Sequence, residues 1–325
     1  MPIKTNLECR YGVINLDDDI TNNQLSINKV DYYVSPLSSK YKRNKGAHSF
    51  VFALYPCQEF DCSEDCEPRK VIKISNIYDS FVNGKIIPVD KNVRFRMEIK
   101  ALNECKDNNI ANIIEIDLDD YIICTETRVN HKGEEYKKNL YFPFYMMDYA
   151  EDDLKQYLEK NELDREGKIE LCLQLAKGLN DLNDLGYYHR DIKPDNILFF
   201  NGNDWRIGDL GLVARRDSDY DRQNDFIGPK GWLSPESMNK YLTEGRMNKF
   251  DCNIDHQSDI FQLGKVFWYI FQGNAPIGCI ERTDFLDESN SIYNLIHRMI
   301  CHSKQNRIKT MADVIQELNQ IIKEA

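Results

Sequence analysis

The chain has 325 residues, is 42% hydrophobic and carries a formal net charge of −11. Its apolar share can bury a sizeable core, which excludes wholesale disorder, and its acidic balance argues against a general nucleic-acid binder, which needs a basic face. The ten cysteines are scattered through the chain, which fits reduced thiols and a cytoplasmic setting better than a disulfide framework. The most apolar run, FQLGKVFWYIF (261–271), is too short for a membrane span and contains Lys265. The start, MPIKTNLECR, lacks the apolar core of a signal peptide.

Residues 1–31 are polar, with an acidic run at Asp17-Asp18-Asp19, and predict a loosely packed N-terminal extension. From Tyr32 the pattern turns strand-like: SFVFALY (49–55) and KVIKIS (70–75) are short β-type runs around a turn-rich insert (56–69). RFRMEIKALNEC (94–105) places Phe95, Ile99, Leu102 and Cys105 at helical spacing. Two apolar runs, 113–129 and 139–150, flank a polar turn at His131-Lys132-Gly133 and predict a hairpin. Beyond Ala150 helices take over. REGKIELCLQLAKGLNDLNDLG (165–186) sets Cys172, Ala176, Leu179 and Leu182 on one stripe, with Gly186 as its stop. SDIFQLGKVFWYIFQG (258–273) is apolar almost all round and predicts a buried central helix. TMADVIQELNQIIKEA is amphipathic, with Met311, Val314, Leu318 and Ile321 on one face. A β-rich front and an α-rich back without internal repeats predict an α+β chain of two lobes, 32–149 and 150–325.

The stretch His189-Arg190-Asp191-Ile192-Lys193-Pro194-Asp195-Asn196 resembles the catalytic loop of the eukaryotic-type (Hanks-type) Ser/Thr protein kinase family, H-R-D-x-x-x-x-N. Phosphoryl transfer explains those residue types. A carboxylate orients the attacking hydroxyl and takes its proton, a cation meets the transferring group, and an amide oxygen ligates Mg²⁺. The resemblance assigns these parts to Asp191, Lys193 and Asn196. It implies a bilobal protein-kinase-like fold, a β-rich N-lobe with one main helix and an α-helical C-lobe. Asp209-Leu210-Gly211 stands where the family has D-F-G, making Asp209 the second metal ligand. Ser234-Pro235-Glu236 stands for A-P-E, with Arg307 as the candidate partner of that glutamate. Asp259 and Gly264 match the helix whose Asp braces the catalytic loop in the family.

Upstream, Val71-Ile72-Lys73 resembles V-A-I-K, so Lys73 is expected to meet the α- and β-phosphates. Glu98 and Glu104 compete as its helical partner; Leu102 falls in the family's spine position four residues after Glu98, which selects Glu98. FYMMDYAEDDLKQYL resembles the hinge. There Met147 is the expected gatekeeper, the backbone of Asp148 and Ala150 meets adenine, and Val51, Val71 and Leu198 sandwich the ring. Aligning Val51 with the glycine loop G-x-G-x-x-G-x-V places Asn44, Gly46 and Ser49 at the glycine positions. Only Gly46 is retained, and His48 at the loop tip is expected to face solvent. The resemblance thus implies ATP and Mg²⁺ as cofactors, with Mn²⁺ as a substitute.

Cys57, Cys62 and Cys66 in the insert have a spacing that a structural Zn²⁺ could use, but Glu59, Asp61, Glu64, Asp65 and Glu67 raise the thiol pKa values. Free thiols are favoured over zinc. Segment 209–236 offers Ser218 and Tyr220 as autophosphorylation sites and no Thr; its several Asp residues can partly substitute for phosphate, and constitutive order is expected. Lys193 favours Ser/Thr specificity by resemblance, whereas Pro229 replaces the Thr usual in such kinases. The implied function is transfer of the ATP γ-phosphate to protein Ser/Thr hydroxyls. The alternative, motivated by the missing glycines, is a pseudokinase acting as a nucleotide-binding scaffold.

Overall fold

The computed structural model describes residues 2–37, 49–59, 67–218, 220–247 and 250–324. Asn44, Gly46, His48, Cys62 and Cys66 lie outside them. The chain divides into two compact units, one of Met1–Ile99 with Glu115–Tyr149, the other of Lys100–Ile114 with Ala150–Ala325.

The first unit opens with β1 (Ile3–Lys4), the hairpin β2 (Glu8–Arg10) and β3 (Val13–Asn15), and β4 (Gln24–Ile27). β5 (Val30–Pro36), β6 (Ser49–Pro56), β7 (Lys70–Ser75), and the small hairpin β8 (Ser80–Val82) and β9 (Lys85–Ile87) follow. Helix α1 (Val93–Asp107) starts in this unit, and the long hairpin β10 (Ile116–Val129) and β11 (Glu135–Asp148) ends it. Seven strands form one sheet in the order β1-β10-β11-β7-β6-β5-β4. Its two edges meet: β1 runs parallel to β10, while Thr5, just past β1, bridges Leu25 of β4 and donates its hydroxyl to the Gln24 carbonyl at 3.1 Å. Joining edges removes the unpaired backbone groups that an open sheet exposes.

Alternation along the strands sorts the two faces. On one face Ile72, Ile74, Phe142, Phe144 and Met146 form a core with Phe52, Leu54, Val34, Ile122 and Cys124. Leu7, Cys9, Ile14, Leu25 and Ile27 belong to that same core and are all buried. The expected loose extension is therefore corrected: residues 3–27 contribute four short strands and buried core residues to this unit. Its strands are only two to four residues long, too short for a period-two pattern to rise above a polar background. The turn between β2 and β3, Tyr11 (φ 54°) and Gly12 (φ 74°), takes the left-handed pair that suits a two-residue hairpin. The Gly12 amide is held by the buried Glu126 carboxylate at 2.8 Å.

The second unit carries β12 (Asp152–Asp153), α2 (Leu154–Lys160) and α3 (Arg165–Asp184), then β13 (Tyr187–Tyr188), β14 (Ile197–Phe200), β15 (Asp204–Ile207) and β16 (Ala214–Arg215). Helices α4 (Pro235–Thr243), α5 (His256–Gln272), α6 (Asn290–Met299) and α7 (Met311–Glu324) complete it. Cys172, Ala176, Leu179 and Leu182 form the buried stripe of α3, which Gly186 ends at φ 86°. In α7 Met311, Val314, Leu318 and Ile321 are the buried face. α5 is buried nearly all round and starts with a reciprocal Asp255–Ser258 capping box. A Cβ on Gly264 would sit 2.7 Å from Met299 Cβ, so glycine lets α5 lie against α6.

Candidate active site

In the first unit, sheet register builds the constellation. Val51, Lys73 and Tyr145 stand opposite one another across β6, β7 and β11, and Ala53, Val71 and Met147 form the next row on the same face. Lys73 Nζ pairs with Glu98 Oε1 at 2.7 Å, and the Tyr145 hydroxyl donates to that same oxygen at 3.0 Å. Lys73 is 8% exposed and Glu98 1%, so the pair is shielded from solvent. Phe95, one turn before Glu98, stacks on Tyr145 with centroids 5.9 Å apart. Glu104, the competing carboxylate, instead lies 3.9 Å from both Lys100 and Arg215. Asp148 directs its carboxylate to Lys70 at 2.6 Å, and Ser49 stands opposite Ser75. Tyr145 was not singled out from the sequence; only the strand register reveals that it stands opposite Lys73.

In the second unit, residues 189–196 form a loop between β13 and β14, held by α5 through main-chain bonds. Asp259 accepts from the backbone amides of His189 and Arg190, both at 2.8 Å. Burial pushes the Asp259 carboxyl up to about 7, against those two amide hydrogen bonds, which favour the ionised form. One turn on, Gln262 accepts from the Ile192 amide at 3.0 Å and donates to the Arg190 carbonyl at 3.2 Å. A polar residue in an otherwise apolar helix was its legible signal. The His189 ring takes the Asp191 amide at Nδ1 (3.2 Å) and faces the Gly208 carbonyl with Nε2 (3.1 Å), which assigns the proton to Nε2.

Three predicted side chains meet here. Asn196 Nδ2 donates to the Asp191 carbonyl at 2.8 Å and to its Oδ2 at 2.7 Å, and Lys193 Nζ lies 3.5 Å from Oδ2. Burial raises the Asp191 carboxyl above its ordinary value; Lys193 opposes this, the charge of Asp209 adds to it, and the Asn196 hydrogen bond opposes it again. Asp209 is exposed at φ 53°, a left-handed conformation that Asp tolerates better than most residues, beside the buried Leu210. Leu198 on β14 packs against Gly208, where a Cβ would be 3.1 Å away, and Ala150 lies two residues before β12 in the same unit.

The amide nitrogen of Asn196 is committed to Asp191, so its oxygen is directed away. Two hard oxygen donors, Asn196 and Asp209, suit Mg²⁺, which keeps several waters and phosphate oxygens in its shell. Among the described residues no group of three or more His, Cys, Asp or Glu is placed to hold a metal ion. Glu236 is buried against Arg307 in a two-pronged pair at 2.9 and 3.2 Å, and the guanidinium also donates to the carbonyls of Gln257, Cys301 and His302.

The sequence pattern of the protein kinase domain matches residues 71–325. The chain belongs to the protein kinase family. The kinase is similar to a probable serine/threonine-protein kinase of Clostridium perfringens, 23% identical over 275 residues, 79% of this chain and 35% of the relative. It is 28% identical to the interferon-induced, double-stranded RNA-activated protein kinase of Rattus norvegicus over 179 residues, 53% of this chain and 32% of the relative. It is 33% identical to the human activin receptor type-1B over 136 residues, covering 38% of this chain and 26% of the receptor. The matched regions thus span about a third or less of these relatives. The match starts at Val71, so Val51 and the strands before it precede the part of the kinase that the family pattern covers. Among the described residues, no helix is long and apolar enough to cross a membrane.

Proposed function

We propose that this kinase domain is catalytically active and transfers the γ-phosphate of Mg-ATP to serine or threonine hydroxyls of protein substrates. The observation that carries the reading is the buried Lys73–Glu98 pair at 2.7 Å, since that ion pair is a condition of activity in protein kinases. In this reading Lys73 binds the α- and β-phosphates, and Val51, Val71, Met147 and Leu198 contact adenine with the backbone of Asp148 and Ala150. Asp191 orients the attacking hydroxyl and accepts its proton, and Lys193 faces the transferring phosphoryl group. Asn196 and Asp209 hold Mg²⁺, which supplies charge neutralisation on the phosphates. Asn44, Gly46 and Ser49 supply backbone amides above them. Lys193 supports Ser/Thr over Tyr specificity.

Purified protein given ATP labelled at the γ-phosphate and generic protein substrates should incorporate label, with phosphoserine and phosphothreonine in the hydrolysate. Asp209→Asn should reduce incorporation to background while leaving the fold intact by circular dichroism. Wild-type incorporation no higher than that variant's would sink the reading. An ATP-dependent thermal shift in that case would favour the nucleotide-binding scaffold.

A further inference from the structure

Arg190 precedes the proposed proton acceptor by one peptide bond, and its side chain is only 3% exposed. A guanidinium buried without an anion leaves an uncompensated charge in a low-dielectric interior. The chain supplies that anion itself. Asp221, whose side chain is also 3% exposed, receives Nη1 at 2.6 Å on Oδ2 and Nη2 at 3.2 Å on Oδ1. The third donor of the fork, Nε, goes to the Leu212 carbonyl at 2.7 Å. One side chain therefore ties two points of the segment after Asp209 to the loop that carries Asp191.

The backbone of Arg190 is held as tightly as its side chain. Its φ of 69° is a left-handed value that a non-glycine residue keeps only where its surroundings over-determine it. Asp259 takes its amide and Gln262 donates to its carbonyl, and a Cβ on Gly228 (φ 114°) would come 3.2 Å from that carbonyl. With both ends of Arg190 fixed, loss of the guanidinium's anion cannot be absorbed locally, and the strain falls on the peptide that presents Asp191.

We propose that Asp221 is a positioning residue: its carboxylate locks Arg190 to the chain around Leu212 and Asp221, so phosphoryl transfer requires no phosphate on Ser218 or Tyr220. The proposal rests on the enzymatic reading above, and its test has one arm that does not. Phosphatase-treated wild type and the double variant Ser218→Ala/Tyr220→Phe should keep kcat within about twofold, whereas Asp221→Asn should lose about 100-fold in kcat, the cost of a misplacement near 1 Å, at a nearly unchanged KM for ATP. Asp221→Glu, which keeps the charge on a longer arm, should recover part of the loss, a rescue that simple packing does not produce. Hydrogen exchange should be faster across 210–222 in Asp221→Asn than in wild type.

Wild-type kcat in Asp221→Asn, or loss of wild-type turnover after phosphatase treatment, would overturn the proposal. If Asp221→Asn does not fold, Asp221→Glu decides: partial or full wild-type kcat supports the assignment, and a loss of about 100-fold in a folded Asp221→Glu, despite its carboxylate, refutes it. A wild type without turnover would remove the enzymatic reading, and unchanged exchange in Asp221→Asn would independently refute the lock.

Discussion

The two units secure their charged residues by different means. In the first, Lys73 and Glu98 meet because strand register and one helical turn put them on the same buried face, with Tyr145 as the third member. In the second, residues 189–196 have no regular partner strand of their own, and side chains 69 to 72 positions away hold their main chain. A sheet face tolerates a charged pair because regular hydrogen bonding already satisfies its backbone. An irregular loop has no such ladder, so Asp259 and Gln262 must satisfy its buried amides and carbonyls one at a time.

The largest effect that would sharpen this contrast is chemical. Asp191→Asn keeps the shape of the loop but removes the proposed proton acceptor, and phosphate incorporation should fall about 10²–10⁴-fold while the ATP-induced thermal shift persists. A fall below tenfold would break the assignment of Asp191 to that role. The next is a stability effect in the first unit, where Leu25 is 1% exposed within the strands before β5. Leu25→Ala should cost about 2–5 kcal/mol in denaturant unfolding. An unchanged midpoint would return residues 3–27 to a loose extension. The smallest effect is a displacement of a pH profile. Burial raises and Lys193 lowers the Asp191 carboxyl, so Lys193→Met should move the acidic limb of kcat/KM to higher pH, because the ionised form is the proposed base. A limb that stays in place or moves down would show that Lys193 does not act on that carboxyl.

The parts legible in the primary structure share one property: their pattern repeats or is contiguous. The stripes of α3 and α7 run through several turns at helical period, and all eight residues named for them are buried. The loop 189–196 is eight adjacent residues whose types match the chemistry proposed for them. Glu98 was separable from Glu104 by spacing, and the structure sends the two carboxylates to different partners. The strands of residues 3–27 were missed because none fully buries more than two apolar side chains, and β1 pairs with a strand more than a hundred residues later.

The sequence by itself determined local periodicity, the β-rich and α-rich halves, and which residue types are available for phosphoryl transfer. Tertiary structure alone decided that the first strands join the edges of the β-sheet, that Tyr145 supports Glu98, and that Asp221 meets Arg190. The reason is physical. Backbone dihedrals and burial periodicity are written in neighbouring residues, whereas a pairing across 31 or more positions depends on loop closure and register, whose free energies no short stretch encodes.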